Sequence, residues 1–195
     1  MKKKELTIKP ESNFIIESKG PLSETFRELG IFDFENAALF IKNLPYSRNK
    51  NKSKLLSVFA DKCGTCGTKH ALLKQLATEN KIGVKLMIGI FKMNSLNTPK
   101  VAKILGLYGL SYLPEAHNYL RSSNQIIDCS HSKSSEADFI NELMVEIEIY
   151  PEQIIDFKVA YHKAYLTNWI RENKIQLTLD ELWEIREACV LALSQ

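Results

Sequence analysis

Between residues 68 and 93 the hydrophobic pattern changes period, and this change limits the fold more than any other stretch of the chain. Leu72, Leu73, Leu76 and Ala77 recur at helical spacing over residues 68–80. Within a few residues the pattern becomes one of alternation, with Val84/Lys85, Leu86/Met87 and Phe91/Lys92 marking a partly buried strand over 83–93 that tolerates Gly89. A strong helix followed directly by a strand points to a mixed α+β chain. At 195 residues such a chain can bury one core without metals or disulfides. No linker, repeat or low-complexity tract divides it, so residues 1–195 read as a single domain.

The flanking elements follow from local punctuation. Residues 23–29 read as a short helix stopped by Gly30, and residues 34–43 as a second, capped by Asp33 and ended before Pro45. Thr98 and Pro99 are placed to cap and open a helix toward Leu107. Residues 117–121 and 125–129 read as two strands of a hairpin joined by Ser122-Ser123-Asn124. Residues 134–195 read as a helical C-terminal part, with helices opened at Ser135, at Pro151 and at the Thr178–Glu181 capping box. The Phe14-Ile15-Ile16 run fits either an edge strand or an unfixed arm.

Charge excludes some functions. With 26 basic and 23 acidic residues the formal charge is +3, too small for a nucleic-acid footprint. Met1-Lys2-Lys3-Lys4 lacks the apolar run of a secretory signal, since residues 5–18 carry acids and a Pro. No stretch approaches the roughly 20 apolar residues of a membrane span. Four cysteines without an export signal read as free thiols in a cytoplasmic setting. The basic loop 46–54, with Arg48, Lys50, Lys52 and Lys54, reads first as a solvated turn and second as an anion contact.

The chemistry concentrates at Cys63-Gly64-Thr65-Cys66-Gly67, a small-residue turn just ahead of the strong helix. A thiol at a helix N-terminus has its thiolate stabilised by the dipole and by unpaired N–H groups, which also suit a tetrahedral oxyanion. Acyl transfer then needs a base and a group to orient it, and His117 and Asp128 on the hairpin can meet on one face. His70, one turn beyond Cys66, reads as a histidine that packs behind the site. Of Asn118 and Tyr119, one must turn away from the face of His117, and Tyr119 suits the core. His162 reads as a surface residue, while Tyr161, Tyr165, Trp169, Trp183 and Cys189 read as core packing.

Three segments carry a family resemblance: Gly64-Thr65-Cys66-Gly67-Thr68-Lys69-His70-Ala71-Leu72-Leu73, Pro114-Glu115-Ala116-His117-Asn118-Tyr119-Leu120, and Ile127-Asp128. Their order and spacing resemble the Cys, His and Asp motifs of the transglutaminase-like superfamily, a papain-like arrangement. Leu44-Pro45-Tyr46-Ser47-Arg48 resembles segments upstream of the Cys in uncharacterised bacterial members, where Gly is more usual at Ser47. No aromatic such as Trp precedes Cys66, unlike animal transglutaminases. The resemblance implies a nucleophile at the start of a helix packed on a small antiparallel sheet, with core motifs over about 44–130. It implies Cys66 as nucleophile, His117 as base and Asp128 as orienting acid. Tyr46, Arg48, Cys63, Thr65, His70 and Asn118 are candidates for substrate contact or for supporting the site. The family includes transglutaminases, peptidases, peptide N-glycanases and inactive relatives, so fold does not fix reaction.

The leading expectation is a thiol hydrolase or acyltransferase, without cofactor or metal, that takes a peptide, amide or small-molecule substrate through an acyl-Cys66 intermediate. A non-catalytic scaffold that binds a partner is one alternative. A CxxC dithiol oxidoreductase using Cys63 and Cys66 is another. A zinc site from Cys63, Cys66, Cys129 and His131 is a third.

Overall fold

The computed structural model describes residues 6–193, so the Met1–Lys4 cluster lies outside the described residues. α1 (Pro21–Glu28) ends at Gly30, whose φ of +75° lets the Ile31 amide turn back to the Phe26 carbonyl at 2.9 Å. α2 (Phe34–Asn43) keeps the bounds its sequence announces, with the Asp33 carboxylate accepting from the Asn36 amide at 2.9 Å. The Phe14–Ile16 run is tied to the entry of α2, not to the sheet: Phe14 stacks on Phe34 at 4.8 Å and Ile16 is buried. A single short turn, α3 (Ser57–Ala60), precedes α4 (Cys66–Glu79). α4 begins two residues earlier than its apolar pattern suggests, because Thr65 and Thr68 form a reciprocal cap at its first turn.

Among the described residues the strands form one antiparallel sheet in the order β3-β2-β1-β4, with β1 at Lys85–Asn94, β2 at Tyr112–Ser122, β3 at Gln125–Ile127 and β4 at Leu143–Ile149. β2 starts five residues before the expected strand, since it pairs with β1 along its whole length from Asn94↔Tyr112 to Lys85↔Arg121. The hairpin to β3 turns through Ser123 and Asn124, with Ser123 at φ +50°. Thr98 makes no capping bond. Pro99–Val101 instead forms a 3₁₀ turn that leads into α5 (Ala102–Leu107).

The C-terminal part departs from the all-helical expectation. Ser135 opens only the 3₁₀ turn Glu136–Asp138, and a second such turn, Ile140–Glu142, leads into β4. Val145, Ile147 and Ile149 alternate with Glu146 and Glu148 there, a period of two that favours a strand beside β1. Pro151 begins a 3₁₀ turn, Pro151–Ile154, and α6 (Asp156–Glu172) starts after it, followed by α7 (Leu179–Leu193).

Helices cover both faces of the sheet. Leu86, Ile88, Ile90, Ala116, Leu120 and Ile149 point to one face, where they pack with Leu72, Leu73 and Leu76 of α4 and with α1 and α2. Met87, Phe91, Leu113 and Tyr119 point to the other, against Leu166 and Trp169 of α6 and Leu182 and Cys189 of α7. β1 is therefore buried on both sides from Leu86 to Phe91 instead of presenting a wet face. Among the described residues no helix is long and apolar enough to cross a membrane.

Candidate active site

Cys66 is the first residue of α4, directly after its Thr65 cap. Its amide and that of Gly67 belong to the first turn and have no acceptor within the helix. Cys66 is 7% exposed, and its sulfur shares a cavity lining with His117 and Tyr46 and interacts electrostatically with both and with the Asn118 backbone. Lys158 of α6 brings its ammonium to 3.6 Å from the sulfur and donates to the Asn118 side-chain oxygen at 2.6 Å.

His117 Nε2 faces the Asp128 carboxylate at 3.3 Å, which leaves Nδ1 for the sulfur. Asp128 lies just past β3, not on it. The other carboxylate oxygen accepts from the Ser130 amide at 2.9 Å and the Ser130 hydroxyl at 2.6 Å. Two buried lysines hold this segment from beneath. Lys42 Nζ binds the Asp128 carbonyl at 2.9 Å and the Ser134 carbonyl at 2.5 Å, while Lys69 Nζ joins the carbonyls of Leu44 at 2.6 Å and Ser130 at 2.8 Å. Lys69 belongs to α4, so one helix fixes the nucleophile, the loop before Tyr46 and the carboxylate together.

The electrostatics favour an ion pair. Burial opposes a charged sulfur, but the Lys158 ammonium and the His117 hydrogen bond outweigh it and lower the Cys66 thiol to about 6. Burial also opposes an imidazolium, yet the Asp128 charge and hydrogen bond raise His117 to about 10. Asp128 is itself buried, and His117 and Ser130 hold its carboxyl well below the usual carboxylate range. At neutral pH the site is thiolate, imidazolium and carboxylate in a row. Cys129 is the contrast: burial and the nearby Asp128 charge push its thiol up to about 12.

His70 plays a different part from His117. Its Nε2 accepts the Cys129 amide at 2.7 Å, so Nδ1 must carry the proton it gives to the Cys66 carbonyl at 2.7 Å. Burial keeps the ring neutral, its pKa lowered to about 4. The 3.6 Å approach of His70 Nε2 to Asp128 is therefore no ion pair, because that nitrogen is bare.

Most of the expected site residues converge. Tyr46 is held beside the Cys63–Cys66 turn by backbone bonds, Ser47 amide to Gly64 carbonyl and Gly64 amide to Pro45 carbonyl, both at 3.2 Å. Burial, the Cys66 charge and Glu115 raise its phenol well above the ordinary value, so it remains a donor to the sulfur. Asn118 serves the site although Tyr119 shares the face of His117, because its backbone amide and side-chain oxygen both do the work. Cys63 is a free thiol whose carbonyl is held by Asn49 at 2.9 Å. Arg48 is half-exposed, pairs with Glu187 at 2.5 Å and lines a cavity that also reaches Cys66. The zinc set is not assembled: among the described residues no group of three or more His, Cys, Asp or Glu is arranged to hold a metal ion.

Four further residues were not singled out for the site by the sequence. Lys158, Lys42 and Lys69 have the sequence signature of ordinary solvated lysines. His162 is 1% exposed and accepts no surface role, since Nε2 bonds the Pro114 carbonyl at 2.8 Å. Its spacing to Leu166 and Trp169, the other buried residues of α6, is the signal that places it inward. Trp183 packs against the core beneath α7 as expected and also lines a cavity beside the thiol.

Two cavities meet at Cys66. The larger, about 550 Å³, is lined by Cys66, His117, Asp128 and the apolar Phe91, Met93 and Phe139. The smaller, about 330 Å³, lies against the first turn of α4, Lys158 and Trp183. Tyr46 and Val190 border both. Fold and site together define an α+β protein with a cavity-lining thiol, imidazole and carboxylate in series. No protein-family model, curated protein or solved structure matches this chain, so the class rests on this geometry.

Proposed function

We propose that this chain is a cysteine-nucleophile hydrolase or acyltransferase of transglutaminase-like type, acting on an amide or thioester through an acyl-Cys66 intermediate. The observation that carries the reading is the helix-start thiol beside His117 in one cavity lining, with His117 in turn backed by Asp128. In the first half-reaction the thiolate attacks the carbonyl carbon, and the carbonyl π electrons move onto oxygen. The Tyr46 hydroxyl and the first-turn amides are the donors available to that oxyanion. As the tetrahedral centre collapses, the bond to the leaving nitrogen or sulfur breaks and the His117 imidazolium gives that atom its proton. Neutral His117 then takes a proton from water or an acceptor nucleophile, which attacks the thioester and returns Cys66 to the thiolate.

The test is to incubate the protein with a set of S-phenyl thioesters and measure the intact mass and the released thiophenol. The expected result is an acyl adduct on the Cys66 peptide, absent from Cys66→Ala and retained in Cys63→Ser. Adducts on no cysteine, or loss of reaction in Cys63→Ser, would overturn acyl transfer, the latter in favour of dithiol exchange.

A further inference from the structure

The two cavities differ in charge. The smaller is lined by Arg48, Lys52, Lys158, Lys163 and Arg186 against one carboxylate, Glu187. Some of these cations are already engaged: Arg48 pairs with Glu187, and Arg186 with Glu115 behind the cavity wall. Lys52 and Lys163 have no carboxylate partner among the described residues, and Lys163 lies 4.9 Å above the Trp183 ring. Arg186 stands at 5.2 Å from the same ring, so Trp183 forms a flat floor flanked by positive charge. The larger cavity sets Lys100, Lys133 and the His117 imidazolium against Glu115, Asp128 and Asp138. The rest of its wall mixes apolar Phe91, Met93 and Phe139 with neutral polar side chains such as Asn97, Thr98 and Ser132.

The position of the proton donor assigns the two sides. His117 lines the larger cavity and not the smaller, and the group it protonates is the leaving group. The leaving group therefore occupies the larger, near-neutral cavity, and the acyl portion extends along the first turn of α4 into the basic one. Resting on the acyl-transfer reading of Cys66, we propose that the substrate's acyl portion carries a carboxylate, held in the smaller cavity by Lys52 and Lys163 over Trp183. The substrate class is then an acidic amide or thioester, such as the half-derivative of a dicarboxylic acid or an acidic peptide. A cleft lined by one sign of charge raises the encounter rate of the opposite sign by about tenfold or more at low salt.

The experiment compares single-turnover acylation of Cys66 by the S-phenyl thioester of succinic acid and by its neutral methyl ester. The charged ester is expected to react at least about tenfold faster, with the advantage shrinking in about 0.5 M salt and in Lys52→Gln/Lys163→Gln. Equal rates for the two esters overturn the proposal. A second pair of probes covers the case in which neither ester acylates Cys66, which would sink the catalytic reading alone. Iodoacetate and iodoacetamide alkylate a thiolate without any turnover. An iodoacetate-to-iodoacetamide ratio above that of free cysteine, reduced in the double variant, sustains the anion site, and a ratio equal to that of free cysteine removes it.

Discussion

Lys158 sets the reactivity of the sulfur as much as His117 does. Its ammonium stands first among the opposing charges that lower the thiol against its burial. The protonation states give the pH profile directly. Below about 6 the sulfur holds a proton and cannot attack, so turnover rises with pH through about 6. Above about 10 His117 loses the proton it owes the leaving group, and turnover falls again. Lys158→Met should move the acid limb upward by about one unit, slowing iodoacetamide alkylation at pH 6 by about fivefold. Lys158→Arg should restore most of the rate, since the charge is kept. Superimposable alkylation profiles for the wild type and Lys158→Met would show that the ammonium plays no part. Nothing in the sequence marks this lysine, because its relevance comes from α6 reaching back over α4 from the far end of the chain.

At the scale of elements, the site depends on the register of β1 against β2, which sets Gly89 opposite His117. A Cβ at Gly89 would lie 2.9 Å from the Tyr119 ring and 2.7 Å from a Leu143 methyl. Leu143 can yield, but Tyr119 is fully buried and its hydroxyl is held by Glu146. Gly89→Ala should therefore cost about 1–3 kcal/mol in urea denaturation, where a free strand position would gain stability. It should also slow Cys66 alkylation, because the Tyr119 ring stacks 6.1 Å from His117. A neutral or stabilising Gly89→Ala would mean that the sheet relaxes around the new methyl. The sequence announced those elements whose signals are local: the Asp33 cap, the α4 pattern, the hairpin turn at Ser123. Composition alone does not separate strand from helix at Leu143–Ile149, where alternating Glu and β-branched residues lie between two segments with helical openings in the sequence. Cys66 and Asp128 were legible for a related reason, since one opens a recognisable helix and the other follows a strand end, while His117, in the middle of β2, was marked only by the motif around it. The lysines that lock the Asp128 loop were not, because a buried Lys bonded to carbonyls looks like any other Lys until the chain is folded.

Across the whole molecule, the tie between the site and the C-terminal helix is Arg186 on Glu115. The guanidinium grips both carboxylate oxygens, at 2.9 Å and 2.5 Å, across 71 residues of chain. Both side chains are nearly buried, at 13% and 12% exposure, so screening by solvent is weak. α7 also supplies Trp183, Arg186 and Val190 to the cavity walls, and this pair anchors it to the strand that carries His117. Arg186→Met leaves a carboxylate buried without its partner and should destabilise the fold by about 3–5 kcal/mol in urea. Glu115→Gln on that background removes the stranded charge and should recover a large part of the loss. The coupling between the two changes should then reach about 1–3 kcal/mol. Simple additivity of the two single losses would mean that α7 is held by its apolar residues alone. The same double variant separates stability from chemistry, since it returns the fold while leaving the cavity beside Cys66 with one cation fewer.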